Sequence, residues 1–201
     1  IRLHLSVKLP FALFLISYAV AGVSMIPDAL YLSDYLVRTL NASASDASAL
    51  FAWFAAGLSI GASTAGAIAQ SLGSLFSILA LAVVGLIGNS LILMSASPSV
   101  VSIASFFFSL WVGGTVSMAS IRTMELVGPQ AHATYWPVMC IAYAIGMGVA
   151  SSSFAALTQQ GTPTIIYFWL VEILMVFFIS FVLCSYVMIH ESKLQKPDQI
   201  A

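Results

Sequence analysis

Two carboxylates sit within strongly apolar runs. Glu172 lies in Trp169-Leu170-Val171-Glu172-Ile173-Leu174, and Asp28 follows Pro27 near the end of the apolar stretch Leu9–Leu32. An ionised carboxylate at the centre of a membrane helix costs roughly 2.5–3.5 kcal/mol on insertion scales, so such a group is protonated, paired or turned to water. For Glu172 this leaves two roles: a proton relay, or a structural hydrogen bond to a neighbouring helix. For Asp28, capture of a cation or substrate amine competes with plain solvation at headgroup level. Ser17, Ala21, Ser24 and Asp28 share one helical face at spacings i, i+4, i+7 and i+11, with Tyr18 at its edge. Pro27 lacks a backbone donor and should bend the helix just before Asp28.

A second polar face runs through Ser102, Ser105, Ser109, Gly113, Ser117 and Ser120. Wound at 100° per residue, these fall within an arc of about 120°. Small residues let helices approach closely, and a serine can bond to its own helix, which is one reading of the face. The other is the wall of a polar permeation cavity. On that second reading Ser17, Tyr18, Ser24, Asp28, Ser109, Gly113 and Ser117 are the candidate cavity residues, with Glu172 the candidate for proton coupling. Gly57, Gly61 and Ala65, and likewise Gly146, Gly148 and Ala150, form small-residue packing faces. The latter run continues into Ser151-Ser152-Ser153 and is also a candidate gate.

Catalytic constellations are not found. His4, His132 and His190 all fall at the edges of apolar runs, with no HExxH, phosphate-cradling loop or haem-ligand pair. Cys140 and Cys184 lie inside apolar runs, where a thiol packs as a small hydrophobe. Neither an enzyme nor a metal or other cofactor is expected. Scattered basic residues and a net charge of −1 give no nucleic-acid footprint.

The elements that must hold these groups are transmembrane helices. Of 201 residues, 61% are hydrophobic and 6% charged, against about 25% charged in soluble domains; the mean hydropathy is +1.05. The chain reads as all-α, a single six-helix transmembrane bundle over residues 1–201 with the lipid bilayer as its solvent. Helices of about 20 residues cross the hydrocarbon core. Spans are expected near Leu9–Leu32, Ala49–Gln70, Leu75–Met94, Val100–Ile121, Tyr135–Leu157 and Ile165–Ile189, separated by Asn41–Ser48, Gln70–Gly73, Ser97–Ser99, Gly128-Pro129 and Gln159–Pro163. With six spans both termini share one side. That side receives Arg2, Lys8, Arg122, Lys193 and Lys196, the other only Arg38, so both termini are expected in the cytoplasm. Asn41-Ala42-Ser43 is a formal glycosylation acceptor on the outer side.

Around the shortest break the chain reads Gly66-Ala67-Ile68-Ala69-Gln70-Ser71-Leu72-Gly73-Ser74. This resembles the signature G-x-x-x-D-R-x-G-R of the major facilitator superfamily, found between the second and third helices of each six-helix half. Gly66 and Gly73 match, while Gln70, Ser71 and Ser74 replace the charged positions. Ala29–Ser33, Gly113–Ala119 and Thr134–Phe154 extend the likeness to the C-terminal half of the YbfB/YjiJ-type permeases, although the last stretch lacks that branch's Gly-Pro pair.

The resemblance implies half of a twelve-helix fold, with an N-terminal six-helix bundle of the same protein as partner and a small-molecule substrate. It implies secondary active transport across the cell (inner) membrane by alternating access, with a proton as the plausible coupling ion. Spans one and four would line the cavity, two and five would meet the partner bundle, and three and six would lie outside. The chain, which starts at Ile1, then reads as a fragment of a longer one. Two other readings stand beside it: a complete six-span substrate-binding subunit of an energy-coupling-factor importer, and a structural subunit of a membrane complex. The carrier reading requires the serine-bearing sides of spans one and four to meet around one wet chamber.

Overall fold

Glycine and proline place the helix ends. In the computed structural model, residues 5–194 are described, with side chains over 8–188; Arg2, His4 and Lys196, and the side chains of His190 and Lys193, lie outside them. The first span has three pieces: α1 (Leu5–Ile26), a π-helical turn (Pro27–Tyr31) and α2 (Leu32–Thr39). Pro27 has no N–H to offer the Val23 carbonyl one turn back, and the wider i→i+5 turn absorbs that defect. The helix therefore continues to Thr39, well past the end expected at Leu32. Leu32 and Leu36 are fully buried in a cluster with Leu50, Ile92 and Phe168.

The next break is shorter than the expected Asn41–Ser48 loop, because α3 (Ala44–Leu72) starts early. Ser43 caps it: its hydroxyl accepts from the Asp46 N–H, and the Asp46 carboxylate accepts from the Ser43 N–H. This capping box satisfies two backbone donors reciprocally. Gly73 (φ 79°) and Gly128 (φ 84°) each make a one-residue break in the left-handed region that favours glycine. They separate α3 from α4 (Ser74–Met94), and α5 (Pro98–Val127) from α6 (Pro129–Gln159). The last helix, α7, runs Ile165–Leu194. Among the described residues, six segments are long and apolar enough to cross a membrane: Lys8–Thr39, Ala44–Leu72, Ser74–Met94, Pro98–Val127, Pro129–Gln159 and Ile165–Met188.

Span α5 packs on α3 and α4, and α1 packs on α6 and α7; the two groups meet through α4 with α7, α5 with α6 and α1 with α5. The crossings of α3 with α5 and of α1 with α6 use glycine. A Cβ on Gly61 of α3 would meet the Leu110 carbonyl of α5, and one on Gly146 of α6 would meet the Ala19 carbonyl of α1. In return, Gly113 of α5 abuts the Leu58 carbonyl of α3, and Gly22 of α1 abuts the Tyr143 carbonyl of α6.

These contacts share one register. Ala19 and Leu110 are as far apart in sequence as Gly22 and Gly113, and Leu58 and Tyr143 as far apart as Gly61 and Gly146. The crossing of α1 with α6 thus matches that of α5 with α3 at two glycine contacts each. With three crossings before it, α5 runs opposite to α1 in the membrane and α6 opposite to α3, so the matched crossings are related by inversion.

Candidate functional site: the buried polar groups of the bundle

Asp28 lies on the π-helical turn and is 3% exposed. Neither carboxylate oxygen has a hydrogen-bond partner among the described residues. Of its two readings, plain solvation does not fit this burial, and the helix continues past Asp28 to Thr39. The rest of its face is buried too. Ser17 and Ser24 are wholly covered, and their hydroxyls donate to carbonyls of their own helix, Phe14 at 2.7 Å and Val20 at 3.0 Å. Tyr18 packs against Tyr143 and Trp136 of α6, with ring centroids at 4.9 and 6.2 Å.

Glu172 is fully engaged. One carboxylate oxygen accepts from the Asn89 side-chain amide at 2.6 Å and the other from the Ser90 hydroxyl at 2.6 Å. The same Asn89 nitrogen donates to the Phe168 carbonyl at 3.0 Å. Of the two roles open to Glu172, the hydrogen bond to a neighbouring helix is formed, and it ties α7 to α4. Sequence reasoning passed over Asn89 and Ser90. Their signal was available as an adjacent polar pair inside an otherwise apolar span.

The serine face of α5 serves close packing. A Cβ on Gly57 of α3 would meet the Ser109 hydroxyl and the Phe106 carbonyl, and Gly113 lies on Leu58. Ser102 and Ser109 donate to Pro98 and Phe106 carbonyls of their own helix, both at 3.0 Å, and Ser117 donates across to the Ala62 carbonyl at 3.3 Å. Ser105, Thr115 and the Trp111 ring nitrogen are buried without partners. The serine side of span four is thus turned onto α3 and that of span one is buried with its hydroxyls on its own helix, so the wet chamber that the carrier reading looked for between them is not formed within this bundle. The small-residue faces of spans two and five form close helix crossings, as packing faces should, and they do so within this bundle. Gly57, Gly61, Ala65, Gly146 and Ala150 are buried against α5 and α1, while Gly148 stands exposed with open space around it.

At the Gly73/Gly128 end of the bundle, the Ser74 hydroxyl donates to Glu125, which also pairs with Arg122 at 3.0 Å. His132 of α6 stacks on Trp136 and hydrogen-bonds Ser120 of α5. At the opposite end an open cleft of about 420 Å³ lies between α2 and α3, beside the Asp34–Arg38 ion pair. Cys140 and Cys184, expected to pack, are exposed on helix surfaces. Among the described residues, no group of three or more His, Cys, Asp or Glu is placed to hold a metal ion.

The molecule is thus an all-helical, six-span bundle of the multi-pass membrane class. No family model matches the chain, and no curated protein matches it significantly.

Proposed function

We propose that the chain is one half of a secondary active transporter of small solutes in the cell (inner) membrane, with both termini cytoplasmic. The observation that carries this reading is the matched, inverted pair of glycine crossings, α1 with α6 and α5 with α3. Paired units of opposite direction are how carriers obtain two equivalent gates around one central site. A structural subunit or an importer's binding subunit has no need of that relation. The short matches around Gly66, Gly113 and Gly146 add support for the major facilitator superfamily, in its YbfB/YjiJ-type branch.

The solute pathway in this reading lies between this bundle and its N-terminal partner. Only 17% of the most apolar stretch of α3 and 22% of that of α6 are covered inside the bundle. Gly66 on α3 and Gly148 on α6 have nothing within 4 Å of a would-be Cβ, which leaves space there for a second bundle to approach. Rocking of the two bundles would then open the face of α3 and α6 to each side in turn.

The test places single cysteines along the exposed positions of α3 and α6, from Ser59 to Gly66 and from Ala144 to Ser152. The host is the full-length protein with Cys140 and Cys184 replaced. In a carrier, at least one position near mid-membrane reacts with an impermeant thiol reagent applied to either side. Labelling from one side only, or from neither, at every position would overturn the proposal.

A further inference from the structure

Among the described residues, Asp28 is the only acidic group that is buried and has neither a hydrogen bond nor an ion pair. Glu172 differs, since both of its oxygens are bonded. The elements packed around the π-helical turn are α1, α2, α6 and α7. Their ionisable groups with described side chains are Lys8 and Tyr18 on α1; Asp34, Tyr35 and Arg38 on α2; His132, Tyr135, Cys140 and Tyr143 on α6; and Tyr167, Glu172, Cys184 and Tyr186 on α7, with Tyr31 on the turn itself. None of them bonds or ion-pairs with Asp28. A carboxylate so placed has lost its water and gained no compensating charge, which a low-dielectric interior does not tolerate.

The backbone beneath it departs from the regular α-helical ladder. Pro27 cannot donate to the Val23 carbonyl, and a π-helical turn displaces carbonyls from the regular ladder. Ser24 stands one turn below with its proton directed to Val20, and its oxygen accepts no hydrogen bond among the described residues. We infer that Asp28 binds one small monovalent cation, a proton or a sodium ion, and carries it in the closed bundle. The binding follows from the site itself; its use in driving solute movement rests on the carrier reading above.

The test uses the full-length protein in lipid as wild type, Asp28→Asn and Glu172→Gln. If the occupant is a proton, the wild type shows a carboxylic-acid carbonyl band in the infrared that Asp28→Asn loses and Glu172→Gln keeps. If it is sodium, the thermal midpoint of the wild type rises in sodium chloride relative to equal choline chloride. That rise is then lost in Asp28→Asn and kept in Glu172→Gln. Should Asp28→Asn fail to fold, Asp28→Glu shifts the band or weakens the sodium effect. A wild type with neither signal, or a signal untouched by both Asp28 variants, overturns the site. If the Asp28 signal is present but cysteine labelling is one-sided, the carrier reading fails and the cation site stands.

Discussion

The side-chain amide of Asn89 lies 2.6 Å from a carboxylate oxygen of Glu172, and this contact joins α4 to α7. In lipid there is no hydrophobic force to press helices together, so packing and interhelical hydrogen bonds must do it. Asn89→Ala leaves a half-buried carboxylate short of a donor and is expected to destabilise the protein by about 1–3 kcal/mol. In a cycle with Glu172→Gln, unfolding in mixed detergent should give a coupling energy of about 0.6–1.7 kcal/mol. Additive effects of the two changes would show that the contact carries no weight.

The glycines separate into two groups by what surrounds them. Gly61→Ala and Gly146→Ala drive a methyl into a carbonyl of the facing helix, so each should cost about 1–3 kcal/mol. Gly66→Ala and Gly148→Ala meet open space and should change stability by less than about 0.5 kcal/mol. Denaturation midpoints of the four variants in detergent decide this, and equal losses in both groups would contradict the packing described here.

The cap of α3 is a separate local unit. Ser43→Ala removes the acceptor for the Asp46 N–H and should cost about 0.5–2 kcal/mol at that helix end. Hydrogen exchange should quicken over residues 44–48 and stay unchanged in α5. Unaltered exchange at the cap would mean that the bond is not maintained in lipid.

Orientation is testable without function. Reporters fused at Gly73 and at Gly128 should be active only as cytoplasmic markers, and one fused at Gly161 only as an external marker. The expectation rests on Arg122 and the terminal basic residues lying on one side and Arg38 on the other. The opposite pattern would invert the proposed topology.

The number and kind of elements were legible from composition. Runs of apolar residues broken at Gly73, Pro98, Gly128 and Pro163 correspond to helix ends, because glycine and proline act on the backbone whatever surrounds them. Two boundaries were less legible. The capping box at Ser43 and Asp46 is written in the sequence as S-x-x-D, but polar residues there read equally well as a loop. Continuation of the first span past Leu32 to Thr39 was hidden, because Ser33, Asp34 and Arg38 read as the polar loop that follows a span, and the π turn that carries the helix on is a local backbone adjustment.

The candidate site divides along the same line. That Glu172 and Asp28 lie in apolar runs, and that serines and glycines line particular helix faces, follows from residue order alone, since helical periodicity is a local property. What each face meets is set by how helices from distant parts of the chain cross. Ser109 and Gly113 are turned onto α3 and so serve packing; Glu172 is brought to Asn89, 83 residues away, and so is paired. Asp28 is left without a partner by the same packing. One sequence pattern, an acid in an apolar helix, thus has two outcomes, because only the tertiary arrangement decides which neighbour, if any, can supply a proton donor.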